Sequence, residues 1–166
     1  MKGQAESIVF ILLFIVSISL FTFAALWSRS IFQENMDFSR LEASEKFIKD
    51  LDNDISNVIR FGGLREIEFN LDGTIELINN RTIGVRVPIS LNLQSNWINI
   101  SEGASYIQER KEGETLVLQL IYPKNDYEVY FFTEGPRLSQ PSYVKMEKNS
   151  TVFDTTTVIK IKITFV

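Results

Sequence analysis

Residues 8–27, IVFILLFIVSISLFTFAALW, run for twenty positions without a charge, a glycine or a proline. At about 1.5 Å rise per residue, such a helix matches the roughly 30 Å of hydrocarbon in a bilayer. Its polar members are Ser17, Ser19 and Thr22. Hydroxyls of that kind bond back to a carbonyl one turn earlier and cost little in lipid. Trp27 closes the stretch where an interfacial anchor belongs. A cleaved secretory signal has a shorter apolar core, about 7–15 residues, and a small-x-small cleavage site. Thr22-Phe23-Ala24 is a poor version of that site. A buried soluble helix is apolar on one stripe rather than all round. The stretch therefore reads as a retained transmembrane helix.

The pattern after Trp27 stays helical. Residues 28–61 hold no glycine or proline. Apolar positions fall at Phe38, Leu41, Ile48, Leu51, Ile55 and Val58, the spacing of one helix stripe, widened by Phe47 and Ile59. Charged residues fill the other face, and Glu42 with Lys46 and Glu45 with Lys49 stand in the favourable i,i+4 order. Gly62-Gly63 is a helix stop. One continuous helix from about Glu6 to Phe61 is expected, on the order of 80 Å long. The alternative is two helices jointed in the polar stretch 28–37. The amphipathic half needs a surface to lie on.

From Leu64 the period changes to two. Strands are expected over 64–69, 74–78, 82–87, 96–100, 105–108, 114–122, 127–132, 143–147 and 155–166. Asp72-Gly73 and Lys111-Glu112-Gly113 read as hairpin turns. Gly135-Pro136 and Gln140-Pro141 read as loops. Short strands at this spacing indicate a sandwich or barrel. The expected fold class is α+β: a long N-terminal helix, transmembrane then amphipathic, packed on a C-terminal antiparallel β-sandwich-like head. The helix spans 4–61 and the head 64–166.

Chemistry is sparse. The 166 residues contain no cysteine and no histidine, so disulfides, thiolate metal sites and the commonest general base are absent together. No phosphate-cradling loop, nucleophile elbow or zinc helix motif occurs. Asp50, Asp52 and Asp54 have the form of a calcium loop but lack its glycine and terminal glutamate. They read as a solvated helix face. The aromatic run Tyr127, Tyr130, Phe131 and Phe132 reads as strand core, with a carbohydrate or partner surface as the other reading. Net charge is −4 without a basic patch, which speaks against a nucleic-acid partner. Neither an enzyme nor a cofactor is expected.

The polar residues before the span carry the most specific signal. Lys2-Gly3-Gln4-Ala5-Glu6-Ser7, followed at once by the apolar stretch, resembles the class III signal peptide of archaeal type IV pilins and pilin-like proteins. The layout of one long helix and a β-rich head is similar to that family as well. The resemblance implies cleavage between Gly3 and Gln4, after the basic Lys2, leaving residues 1–3 as a short leader. It also implies a prepilin peptidase, an assembly platform, and other pilins or copies of the chain as helix partners. Many type IV pilins carry a glutamate fifth after the cut; here Ile8 holds that place and Glu6 is third.

Glu6 also has a physical reading of its own. A carboxylate at the edge of hydrocarbon is costly unless paired. The positive end of a helix favours it, and the freed amine of Gln4 on a neighbouring chain would pair with it. Glu6 is therefore the candidate assembly residue. Three N-x-[ST] sequons, at Asn80, Asn99 and Asn149, all lie after the span and are candidate glycosylation sites. They place the N-terminus in the cytoplasm and the head outside. Two functions stay open: a membrane-stored subunit of a type IV pilus-like surface filament whose head makes adhesive contacts, or an unprocessed single-span anchor carrying a fixed ligand-binding or accessory module.

Overall fold

A computed structural model describes residues 2–102, 105–124, 127–153 and 156–166. One helix, α1 (Lys2–Phe61), precedes ten strands. They are β1 (Leu64–Glu68), β2 (Thr74–Asn79), β3 (Thr82–Pro88), β4 (Ile98–Glu102), β5 (Tyr106–Glu112), β6 (Thr115–Ile121), β7 (Tyr127–Phe132), β8 (Leu138–Ser139), β9 (Tyr143–Phe153) and β10 (Thr157–Phe165). The chain divides into two compact units, Met1–Phe38 and Ser39–Val166.

The first unit is helix alone. Ser19 Oγ donates to Ile15 O and Thr22 Oγ1 to Ile18 O, each at 2.8 Å, as expected of hydroxyls in an apolar helix. No large apolar side chain from Ile8 to Trp27 is less than 46% exposed within the chain.

In the second unit α1 ends where the glycines stand. Gly62 and Gly63 both have positive φ, 70° and 85°. Gly62 N–H donates to Val58 O at 2.9 Å, the single-bond left-handed cap. Lys148 Nζ donates to Ile59 O at 3.0 Å, which satisfies another of the last-turn carbonyls.

The strands form two sheets: β1-β9-β10-β7, and β4-β5-β6-β3-β2-β8. The first sheet holds one parallel pair, β7 with β10, which the alternating pattern does not announce. The second is antiparallel throughout. Their inward residues interleave with the α1 stripe in one core. Ile48, Leu51, Ile55 and Val58 come from the helix, Ile75, Ile83, Leu118 and Leu120 from the larger sheet, and Val144, Met146, Ile161 and Ile163 from the smaller. The β10 alternation follows the sequence: Ile159, Ile161 and Ile163 point in while Lys160 and Lys162 are half-buried on the other face.

The Asp72-Gly73 hairpin is not there. β1 pairs with β9, and β2 pairs with β3 and β8, so Asp72-Gly73 lies on a crossover between sheets. Gly73 has no positive φ; a Cβ there would stand 2.2 Å from Arg86 O. The glycine answers a close approach of two backbones, not a hairpin twist. The tight turn that exists is Asn80-Arg81 between β2 and β3, where Asn79 Oδ1 accepts from Arg81 N–H at 2.8 Å. The β5–β6 hairpin at Gly113 forms as expected, with φ of 62°. β9 runs past residue 147 to Phe153, because a bulge at Asn149 absorbs the polar residues that looked like a strand end. The two residues of β8 lie between the two expected loops, outside any expected strand, and are held by Leu77 N–H donating to Arg137 O at 2.7 Å.

Candidate functional site

The candidate functional side of this chain is its helix and the seat that holds the second half of it. The seat begins with the apolar stripe. Ile48, Leu51, Ile55 and Val58 are fully buried, and Phe47 packs edge-on against Phe69 at 5.1 Å. Phe38, expected to start the stripe, is 52% exposed. In the second unit the stripe starts instead at half-buried Leu41 and at Ser44, which is fully buried and donates to Arg40 O at 2.6 Å.

A polar lock fixes the helix to the larger sheet. Asp52, expected on the solvated face, is half-buried. Its Oδ1 accepts from Tyr122 Oη at 2.5 Å and its Oδ2 from Ser105 Oγ at 2.8 Å. Positions two apart on a helix do not share a face, which is why Asp52 turns inward while Asp50 stays exposed. Burial, reinforced by the Asp52 carboxylate, pushes the Tyr122 phenol far above its ordinary range. The phenol therefore remains a donor at all ordinary pH. Tyr122 also meets Phe131 edge-to-face at 5.4 Å, which ties the lock to β7 of the other sheet. At the surface Arg40 pairs with Asp72 at 3.2 Å and Lys49 with Glu45 at 3.0 Å. Such exposed pairs contribute about 0–1 kcal/mol.

On the neighbouring strand Glu109 faces the helix residues Glu45 and Lys49. Burial raises its carboxyl above the ordinary range, the Glu45 carboxylate adds to this, and Lys49 opposes it. Among the described residues Glu109 Oε2 is buried without a hydrogen-bond partner.

The processing and assembly candidates sit at the other end of α1. The backbone of Lys2, Gly3, Gln4 and Glu6 is helical, while their side chains lie outside the described residues. The helix is already formed at Lys2, and no acidic residue lies in its first turn. Glu6 is the fifth residue of α1. A cut between Gly3 and Gln4 would make it the third residue.

The three sequon asparagines are all exposed, and each borders an irregularity in its ladder. Asn80 follows the bulge at Ile78, Asn99 precedes the one at Ile100, and Asn149 is itself the extra residue. Thr82, the hydroxyl residue of the first sequon, is only 6% exposed on β3, so a glycan at Asn80 would have to be added before that strand docks. The aromatic run divides. Phe131 is core, whereas Tyr130 is 40% exposed beside a groove.

No protein-family model, curated protein or solved structure matches the chain. α1 over Ile8–Phe61 is long and apolar enough to cross a membrane. Fifteen large apolar side chains between Ile8 and Trp27 are exposed within the chain. At about 1.5–3 kcal/mol each, covering them is worth roughly 20–45 kcal/mol. That exceeds the whole stability of an ordinary domain, about 5–15 kcal/mol.

Proposed function

We propose that the chain is a structural subunit of an archaeal type IV pilus-like surface filament. It is stored in the membrane with its N-terminus in the cytoplasm and its head outside, cut between Gly3 and Gln4 by a prepilin peptidase, and assembled through α1 on a platform protein. The head then makes the surface contacts. The observation that carries this reading is a single helix that serves two solvents. One stretch exposes an apolar surface on every side, and a later stretch is locked into a β head by a stripe and a buried Asp52–Tyr122–Ser105 network. A simple anchor needs the first property but gains nothing from a second stretch of the same helix built into the core of the head. A filament subunit gains from it, because the element that packs between copies is then part of the fold of the head it carries.

Glu6 is the assembly residue in this scheme. Its carboxylate pairs with the new amine of Gln4 on a neighbouring copy, and the pairing sets axial register. The mature protein should begin at Gln4 by N-terminal sequencing or intact mass, and shed surface material should contain filaments by electron microscopy. Glu6→Gln should insert in the membrane normally yet give far fewer filaments. Normal filaments from Glu6→Gln would remove Glu6 from the mechanism. A Met1 start with no filaments would replace the scheme by a fixed single-span module.

A further inference from the structure

The sandwich is not sealed on the side where β2 and β7 face each other. Each is at or next to a sheet edge, and β2 has β8 beside it only at Ile75 and Glu76. One hydrogen bond, from Phe131 N–H to Asn80 O at 2.7 Å, bridges the two edges. A groove of about 310 Å³ lies between them. That is the lower end of the roughly 300–1,000 Å³ found for small-molecule sites.

Its lining has one chemical sense. Arg137 is exposed at the groove, and among the described residues its guanidinium has no partner. Carboxylates on the bordering segments are engaged elsewhere: Glu134 by Lys162, Glu128 by Arg81 and Lys124, and Glu76 by Arg86. Asn79 uses its carbonyl oxygen on Arg81 N–H, which leaves its NH2 to donate. Thr133 Oγ1 accepts from Gly135 N–H at 3.1 Å, which leaves its O–H to donate. Among the described residues no carboxylate lines the groove. Buried Leu77 gives it an apolar floor, and Tyr130 offers a ring that is 40% exposed. A ligand that suits these groups carries a carboxylate for the Arg137 fork, hydroxyls for the neutral donors, and an apolar C–H face for the Tyr130 ring.

We propose that this groove binds an acidic sugar, a uronate residue of a saccharide. The sugar could come from an external polysaccharide or from a glycan carried on Asn80, which stands in the groove wall. The inference rests on the reading of the head as the contact surface and gives that contact a ligand class. It needs no filament to be tested, so failure of assembly and failure of binding are separate results.

The test is calorimetric titration of the full chain in detergent micelles, produced in a host that adds no glycans. The probes are glucuronate, glucose and acetate. Glucuronate should bind with a dissociation constant on the order of 1 mM, as suits one sugar. Glucose and acetate should each bind about tenfold more weakly. Arg137→Gln should weaken glucuronate about tenfold or more, and Tyr130→Ala several-fold, with the unfolding midpoint of both variants unchanged. No binding of glucuronate, binding unaffected by Arg137→Gln, or acetate binding equal to glucuronate would each overturn the proposal. Glycopeptide mass on the native protein separates the sources: a uronate-bearing Asn80 makes the occupant internal, and a bare Asn80 makes it external.

Discussion

Residues 8–27 and 44–58 belong to the same helix but arrange their apolar surface differently. The first stretch has no ionisable group and no hidden face. The second buries Ile48, Leu51, Ile55 and Val58 on one side and shows charge on the other. Backbone propensity does not distinguish them, since both lack glycine and proline. The distribution of side chains around the axis does. Helicity in this chain is therefore a shared frame, and what each turn is for depends on what covers it.

The sharpest way to break that contrast is to cut the same side chain in both stretches. Leu51 is fully buried and Leu13 is 56% exposed within the chain. Leu51→Ala should lower the stability of the head by about 2–5 kcal/mol, since a cavity opens where helix and sheets meet. Leu13→Ala should leave the head's urea midpoint within about 0.5 kcal/mol of wild type. Equal losses would mean that the head feels the apolar helix as part of its own core.

A smaller effect separates shape from polarity in the seat. Asp52→Ala would take the carboxylate acceptor from the Tyr122 and Ser105 hydroxyls in a largely buried place, leaving Tyr122 Oη only the long contact to Asp52 O at 3.4 Å. The expected loss is about 1–3 kcal/mol by urea unfolding. Asp50→Ala, on the exposed face, should stay within about 0.5 kcal/mol. If the two variants behaved alike, the lock would be decoration and the apolar stripe alone would hold the helix.

Much of this was legible in the residues. The period change at Gly62-Gly63 marks the end of α1, because glycine alone takes the left-handed cap without strain. Alternation in residues 155–166 gives the inward face of β10. What stayed hidden depends on partners distant in sequence. Asp72-Gly73 carries the local signature of a hairpin, yet β1 finds β9, some eighty residues on, and the glycine serves a contact with Arg86 O. The parallel β7–β10 pair is likewise a property of the assembled sheet. Asp52 looks like its neighbours Asp50 and Asp54 until Tyr122 and Ser105 arrive from β6 and β5 territory. The groove by Arg137 has no local signal, since its two walls meet only when two sheet edges do. The motif around Gly3 and Glu6 shows the opposite case: it is plain in sequence, while the side chains that would test it fall outside the described residues.

The finest version of the comparison uses pH, because protons act on only one of the two stretches. Residues 8–27 have nothing to titrate. In the seat, Glu109 meets Glu45 and Lys49 of α1, and burial raises its carboxyl above its ordinary value of 4.5. The folded state then holds this proton more tightly than the unfolded chain does. Below the unfolded value both states are protonated and the contribution to stability is fully present. It is lost as pH rises from there through the folded value, where the native protein must ionise a carboxyl that the unfolded chain ionises more readily. Glu109→Gln should therefore match wild type at about pH 4 and be more stable near pH 7. The gain should be below about 1 kcal/mol, because the replacement amide still has a buried polar atom to satisfy. Thermal midpoints of both proteins at the two pH values decide the matter. A difference of the same size at both would assign the effect to packing, and would leave the helix seat as blind to protons as the apolar stretch before it.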